Sequence, residues 1–190
     1  MPVRKNMKRS DGFTLVELMI VVVIAGIGFS LAVPSFQGML ERNRLATQTN
    51  EMLLAINLAR SEAGRVGDIV SVQAAAPVSG DEFGAGYCVV LGDPGDCDNP
   101  VVRRFPALIG TSVFRGVDDD ANGGDWPSSR ESIQFDSRGA LADTSIQLRN
   151  LDLCLAGQLG RRIQVSLIGR AKVWREAEAG DTPPSVQPSC

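Results

Sequence analysis

Glu17 is the only charged residue between Gly12 and Phe36. An ionisable side chain inside such an apolar stretch costs ~3 kcal/mol or more in lipid and usually marks function. Four cysteines, Cys88, Cys97, Cys154 and Cys190, form a second chemistry-bearing set. None lies in a C-x-x-C pair, so their spacing does not suit zinc. An even number fits two disulfides in an exported domain. A third set, Asp118-x-Asp120-x-Asn122-Gly123, matches the first half of a calcium loop, with oxygen ligands on alternate positions and a glycine for the turn. The position of the bidentate glutamate is Ser129, with Glu131 two residues late, although Asp125 could help. A solvated acidic turn is the plainer reading.

The fourth set is basic. Arg161, Arg162, Arg170, Lys172 and Arg175 surround Trp174, with no acidic residue between Asp152 and Glu176. If 162–167 and 171–174 pair as a hairpin turning at Gly169, then Arg162, Arg170, Lys172 and Trp174 could share one face. Such a face could meet phosphates and stack a base. Its plainer reading is a solvated strand face. The chain has no histidine, which removes the commonest general base and the commonest metal ligand. No nucleophile–base pair, phosphate loop or metal cluster stands out elsewhere. The expectation is therefore a non-enzyme without a cofactor, calcium at the acidic loop being the one alternative.

The elements that must position these residues begin with the N-terminus. Arg4, Lys5, Lys8 and Arg9 against Asp11 give the first twelve residues +3, so a net charge of −3 leaves −6 for the rest. A body this acidic is no general nucleic-acid binder, and such a role would need a local basic patch. From Leu18 to Phe36 no residue is charged, which supplies the ~20 apolar residues of a membrane span. A secretory signal peptide has a shorter apolar core followed by a cleavage site, whereas here the run is too long and Glu41–Ala63 continues after it in helical period. A plain anchor leaves Glu17 unexplained.

Beyond Pro34 the apolar positions Leu45, Met52, Ile56, Ala59 and Ala63 recur at helical spacing, with Leu53 alongside. Glu41, Arg42, Arg44, Glu51, Arg60 and Glu62 take other faces, so the stripe should pack on the following domain. Gly64 and Gly67 should end the helix near 63–67. Then short β-type runs follow: Ile69–Gln73, Tyr87–Leu91, Val101–Phe105, Ser112–Phe114, Ile133–Phe135, Ile146–Leu148, Leu151–Leu155, Ile163–Leu167 and Ala171–Trp174. Gly/Asp/Pro/Ser clusters punctuate them. With 190 residues, 44 % of them hydrophobic, the chain has enough for one ordinary domain plus an appendage. The expected architecture is α+β: a long N-terminal membrane-spanning helix packed against an antiparallel β-sheet head.

Gly12–Glu17 reads G-F-T-L-V-E after a basic leader and before an uninterrupted span. In this the chain resembles the type IV prepilins and type II secretion pseudopilins. The resemblance implies cleavage by a prepilin peptidase between Gly12 and Phe13, and N-methylation of Phe13. It makes Glu17 the fifth residue of the mature chain, the family's glutamate. A lone carboxylate in lipid needs a cation, and the positive N-terminus of Phe13 on a neighbouring subunit could serve. Such a pair would set axial register, as one buried polar group does in coiled coils. Pro34 falls where these helices commonly carry a proline, and should kink or loosen the helix. The resemblance thus divides the chain into a leader (1–12), a transmembrane half-helix (13–36), an amphipathic periplasmic half-helix (37–67) and a β-rich periplasmic head (68–190).

Further segments resemble the GspH/FimT branch: Asn57–Ala63 (NLARSEA), Gly86–Val90 (GYCVV), Ile133–Gly139 (IQFDSRG), Leu153–Cys154 and Arg162–Lys172 (RIQVSLIGRAK). DNA-uptake members of the FimT type carry G-R-x-R in this C-terminal region. Here it reads Gly169-Arg170-Ala171-Lys172, where lysine keeps the charge but loses the bidentate fork. The resemblance implies a minor pilin or minor pseudopilin, with other pilins, prepilin peptidase and the inner membrane as partners, in a type IV pilus or type II secretion pseudopilus. The alternative is a DNA-binding minor pilin for transformation. The basic leader holds the N-terminus in the cytoplasm, and the head lies in the periplasm, where disulfides form. Four cysteines allow three pairings. We expect Cys88–Cys97, closing a short turn-rich loop, and Cys154–Cys190, tying back a polar tail.

Overall fold

A computed structural model describes residues 13–78, 80–92, 96–98, 100–110, 112–117, 131–142, 148–155 and 158–175. Helix α1 runs from Leu15 to Val66 and continues through position 34 without a break. Thr14 opens it: the Thr14 carbonyl accepts the Leu18 N–H at 3.2 Å, and its hydroxyl accepts the Glu17 N–H at the same distance. Gly67 closes it. Its N–H donates to the Ala63 carbonyl at 2.9 Å, in the left-handed conformation (φ 74°) that a side chain would resist.

The chain divides into two units, residues 1–40 and 41–190. In the first, every described large apolar side chain is exposed. In the second, the helix buries Leu45, Gln48, Thr49, Met52, Ala55, Ile56, Ala59 and Ala63, three or four residues apart. This is the stripe read from the sequence, widened by Ala55 and by two polar residues, Gln48 and Thr49. Thr49 is accommodated because its hydroxyl donates to the Leu45 carbonyl at 2.6 Å.

Eight strands follow: β1 Val70–Ala74, β2 Tyr87–Leu91, β3 Val101–Phe105, β4 Ser112–Val117, β5 Ser132–Phe135, β6 Leu148–Leu155, β7 Gln158–Ser166 and β8 Ala171–Arg175. They form two antiparallel four-stranded sheets, ordered β3-β2-β1-β5 and β4-β6-β7-β8. Leu148, the last residue of the expected run at 146–148, joins the expected run at 151–155 in one strand, β6, while 146 and 147 lie outside the described residues. Asn150, between the two expected runs, pairs across the ladder with Val117 and Gln164. Likewise β7 starts earlier than expected, because the polar stretch around Arg161 and Arg162 is strand.

One core joins the helix stripe to both sheets, including Val70, Val72, Val89, Ile133, Phe114, Leu151, Leu153 and Ile163. Residues 81–83 clamp the sheets together. The Phe114 N–H donates to Asp81 Oδ1 at 2.6 Å, the Phe83 N–H to the Phe114 carbonyl at 3.0 Å, and the Gly116 N–H to Glu82 Oε2 at 3.1 Å. Phe83 then packs between Tyr87 and Phe114, with ring centroids 6.3 and 6.0 Å away. Burial pushes the Tyr87 phenol above its ordinary range, and the Glu51 carboxylate adds to the effect.

Candidate functional site

The first candidate site is the start of α1. Thr14 and Glu17 occupy the cap and third helical positions, the T-x-x-E spacing of a capping box. Sequence reasoning assigned Glu17 to assembly and overlooked Thr14, although the spacing was visible. Glu17 also stands in the first turn, where the helix dipole favours a negative charge. Phe13 and Glu17 are exposed, and the stretch behind them is long and apolar enough to cross a membrane, with none of it buried. Gly12 lies outside the described residues, as does the side chain of Pro34.

The second candidate is the outward face of the β4-β6-β7-β8 sheet. Register aligns Arg115, Asp152, Arg162 and Trp174 across its four strands. Arg162 donates from Nε to Asp152 Oδ1 and from Nη2 to Oδ2, both at 2.7 Å. Both side chains are deeply buried, Arg162 at 6 % and Asp152 at 0 % relative exposure. This corrects the reading of Arg162 as a phosphate ligand. A guanidinium held by both oxygens of a buried carboxylate is spent inside the protein. The cue was the position of Asp152: it faces Arg162 once the strands are in register, and sequence order does not reveal that.

The remaining cations separate by the alternation of the strand. Lys172 shares the outward face with Gln164 and Trp174, whereas Arg161 stands on the other face; Arg175 pairs with Arg161 in backbone register, and its side chain lies outside the described residues. Lys172 Nζ lies 3.4 Å from the Trp174 ring centroid, and Trp174 Nε1 donates to Gln164 Oε1 at 3.1 Å. One ring face is therefore taken by the lysine rather than open to a base. Arg170 and Lys172 are exposed and line a shallow groove with Gln164, Ser166 and Ala171. The turn at Gly169 forms as expected, its N–H donating to the Ser166 carbonyl at 2.8 Å.

Three sequence segments singled out above meet at one junction. Arg60 donates from Nε to the Gly139 carbonyl at 3.0 Å. Asp136 organises the turn leading to Gly139, accepting the Arg138 and Ala140 N–H groups at 2.9 Å on Oδ1 and the Arg138 guanidinium at 2.7 Å on Oδ2. That guanidinium holds the Asp136 carboxyl below its ordinary range. Gly169 presses against the same turn so closely that a Cβ there would lie 2.0 Å from the Gly139 carbonyl oxygen. NLARSEA, IQFDSRG and GRAK thus lock the helix to the turns of the two sheets.

Cys88 and Cys97 form a disulfide with Cα atoms 5.9 Å apart, beneath Val90 and Val101 in a small second core. Cys154 is disulfide-bonded too, while Cys190, its expected partner, lies outside the described residues. So does the acidic loop with Asp118, Asp120 and Asn122. Among the described residues no group of three His, Cys, Asp or Glu side chains could hold a metal.

The family model described as type II transport protein GspH matches residues 48–169, and the prokaryotic N-terminal methylation motif matches residues 7–33. The chain belongs to the GspH family. It is a pilin-like structural subunit by family, and its long apolar helix with antiparallel sheets is the pilin fold. It is 33 % identical over 113 residues to the type IV major pilin protein PilA of Myxococcus xanthus (strain DK1622). That match covers 56 % of this chain, which spans about half (51 %) of the relative's length. The fold is similar to that of the type IV minor pilin FimU of Pseudomonas aeruginosa (strain PAO1). One crystal form has a TM-score of 0.57 at 24 % identity, covering 78 % of this chain and 96 % of that one. A second has a TM-score of 0.51 at 23 % identity, covering 76 % and 95 %. The GspH match spans Arg60, Gly139 and Gly169, which meet at the junction described above.

Proposed function

We propose that this GspH-family chain is a minor pilin or minor pseudopilin, cut between Gly12 and Phe13, methylated on Phe13 and anchored in the inner membrane with a periplasmic head. The observation that carries the reading is the exposed apolar start of α1 with one charge, Glu17, in its first turn. Apolar side chains on all sides of a helix require lipid or neighbouring helices. In a fibre, neighbouring helices replace lipid, and the amine of Phe13 on one subunit meets Glu17 on the next. Intact-mass measurement of the membrane-purified protein should show loss of the first twelve residues plus one methyl group. Glu17→Ala should be processed normally yet be missing from sheared fibres. Normal incorporation of that variant would refute the pairing.

A second reading, weak DNA binding, is supported by the exposed Arg170 and Lys172 in their groove. The purified protein should then bind duplex DNA without sequence preference, and Arg170→Ala should flatten the salt slope by about one unit. No binding at low salt would leave the structural role alone.

A further inference from the structure

The loop between β3 and β4 holds one apolar side chain out on a fixed backbone. The Leu108 N–H donates to the Gly84 carbonyl at 2.9 Å, and Leu108 packs against the core. Gln48 Nε2 donates to the Ile109 carbonyl at 3.4 Å, and Gly110 turns the chain with φ 93°. Ile109, anchored on both sides, is nevertheless 68 % exposed, beside exposed Pro106 and Ala107. Single exposed isoleucines are ordinary. This one is tied to a particular level of the helix: a Cβ on Gly110 would lie 3.9 Å from Arg44 Nη1, and Arg44 is exposed.

That level is the one just past the apolar run. Leu18 to Leu40 is free of charge and about 34 Å long as helix, slightly more than the ~30 Å hydrocarbon layer. Arg44 follows about 6 Å further along, and the headgroup layer is roughly 5–7 Å deep on each side. The turn holding Glu41, Arg42 and Arg44 has two cations against one anion. We propose that the Pro106–Gly110 loop docks on the phospholipid surface from which α1 emerges, Ile109 entering the interfacial layer and Arg44 meeting lipid phosphates. This rests on the anchored reading above. An apolar tip beside a guanidinium suits that layer, where a carbon surface and a charged head are both satisfied.

The test uses the full chain, native disulfides intact, in anionic phospholipid vesicles. An environment-sensitive fluorophore is placed singly through Ile24→Cys, Ile109→Cys or Ile168→Cys, Ile168 being similarly exposed but on the β7–β8 turn. Nitroxide lipids quench either at headgroup depth or deep in the acyl chains. Docking predicts deep quenching at 24, headgroup quenching at 109 and none at 168. Deep quenching at 24 with 109 as unquenched as 168 would overturn the docking and leave the anchor standing. No quenching at 24 would remove the anchor and the docking together. A blue shift at 109 that grows with protein concentration, without quenching, would assign the tip to a second copy of the chain and refute the lipid surface. In Arg44→Gln the ratio of docked to undocked label at 109 should fall roughly fivefold on anionic vesicles. An unchanged ratio would overturn the phosphate contact.

Discussion

Between Leu15 and Leu40 helix α1 carries its large apolar side chains outward, whereas between Leu45 and Ala63 the same helix buries a stripe of them in the head and leaves Leu54 exposed. The first stretch has a single charge near its start. The second alternates buried Met52, Ile56 and Ala59 with exposed or half-exposed Glu51, Arg60 and Glu62. A helix that is apolar on all sides must find its partner outside the chain. One that is apolar on a stripe finds it inside. The polar groups differ in the same sense. Glu17 stands exposed, while Asp152 and Arg162 satisfy each other in a buried pair.

Mutations can sharpen that contrast. The largest effect is expected from Asp152→Ala, which leaves the Arg162 guanidinium buried and unpaired. Chemical denaturation of the detergent-solubilised chain should show a loss of about 3–5 kcal/mol. Glu17→Ala should leave head stability unchanged in the same assay, and a comparable loss there would erase the distinction between the halves.

Truncation of an aromatic provides a matched pair. Phe114→Ala should cost about 3–5 kcal/mol, because Phe114 is fully buried against Phe83. Phe29→Ala, in the exposed stretch, should not shift the head's unfolding midpoint. A smaller effect is expected from replacing Cys88 and Cys97 together by alanine. The loop they close is short, with a sequence separation of 9, so the loss should be about 2–3 kcal/mol. A midpoint that does not move under oxidising conditions would show that the second core holds this loop without the bond.

The smallest effect concerns pH. Asp136 has a depressed pKa in the folded protein, chiefly through its hydrogen bond from Arg138. A carboxyl of that kind adds stability above its unfolded pKa of about 3.9, and loses it as pH falls through the lower folded value. Melting curves of the wild type and Asp136→Asn should differ slightly near neutrality and converge below about pH 4. A difference that grows on acidification would reverse the assigned sign.

The N-terminal features were legible because each is local. A charge-free run, a lone glutamate and a basic leader need no knowledge of the head. The helix stripe from Leu45 to Ala63 and most strands were readable from periodicity, and Cys88–Cys97 was expected because it closes a short turn-rich loop. The basic cluster misled because charge counted along the chain says nothing about the neighbouring strand. Arg162 reads as an exposed cation until β6 brings Asp152 opposite it. Nor did the spacing of NLARSEA, IQFDSRG and GRAK disclose that Arg60, Gly139 and Gly169 share one contact. By itself the sequence determined which segment is apolar, where its helix ends and which helix face is buried, since these follow from residues within one or two turns of each other. Only the tertiary structure decided which charges are spent and which remain outside. Pairing across a sheet depends on register between residues distant in the chain, and burial turns a nearby carboxylate into an obligatory partner.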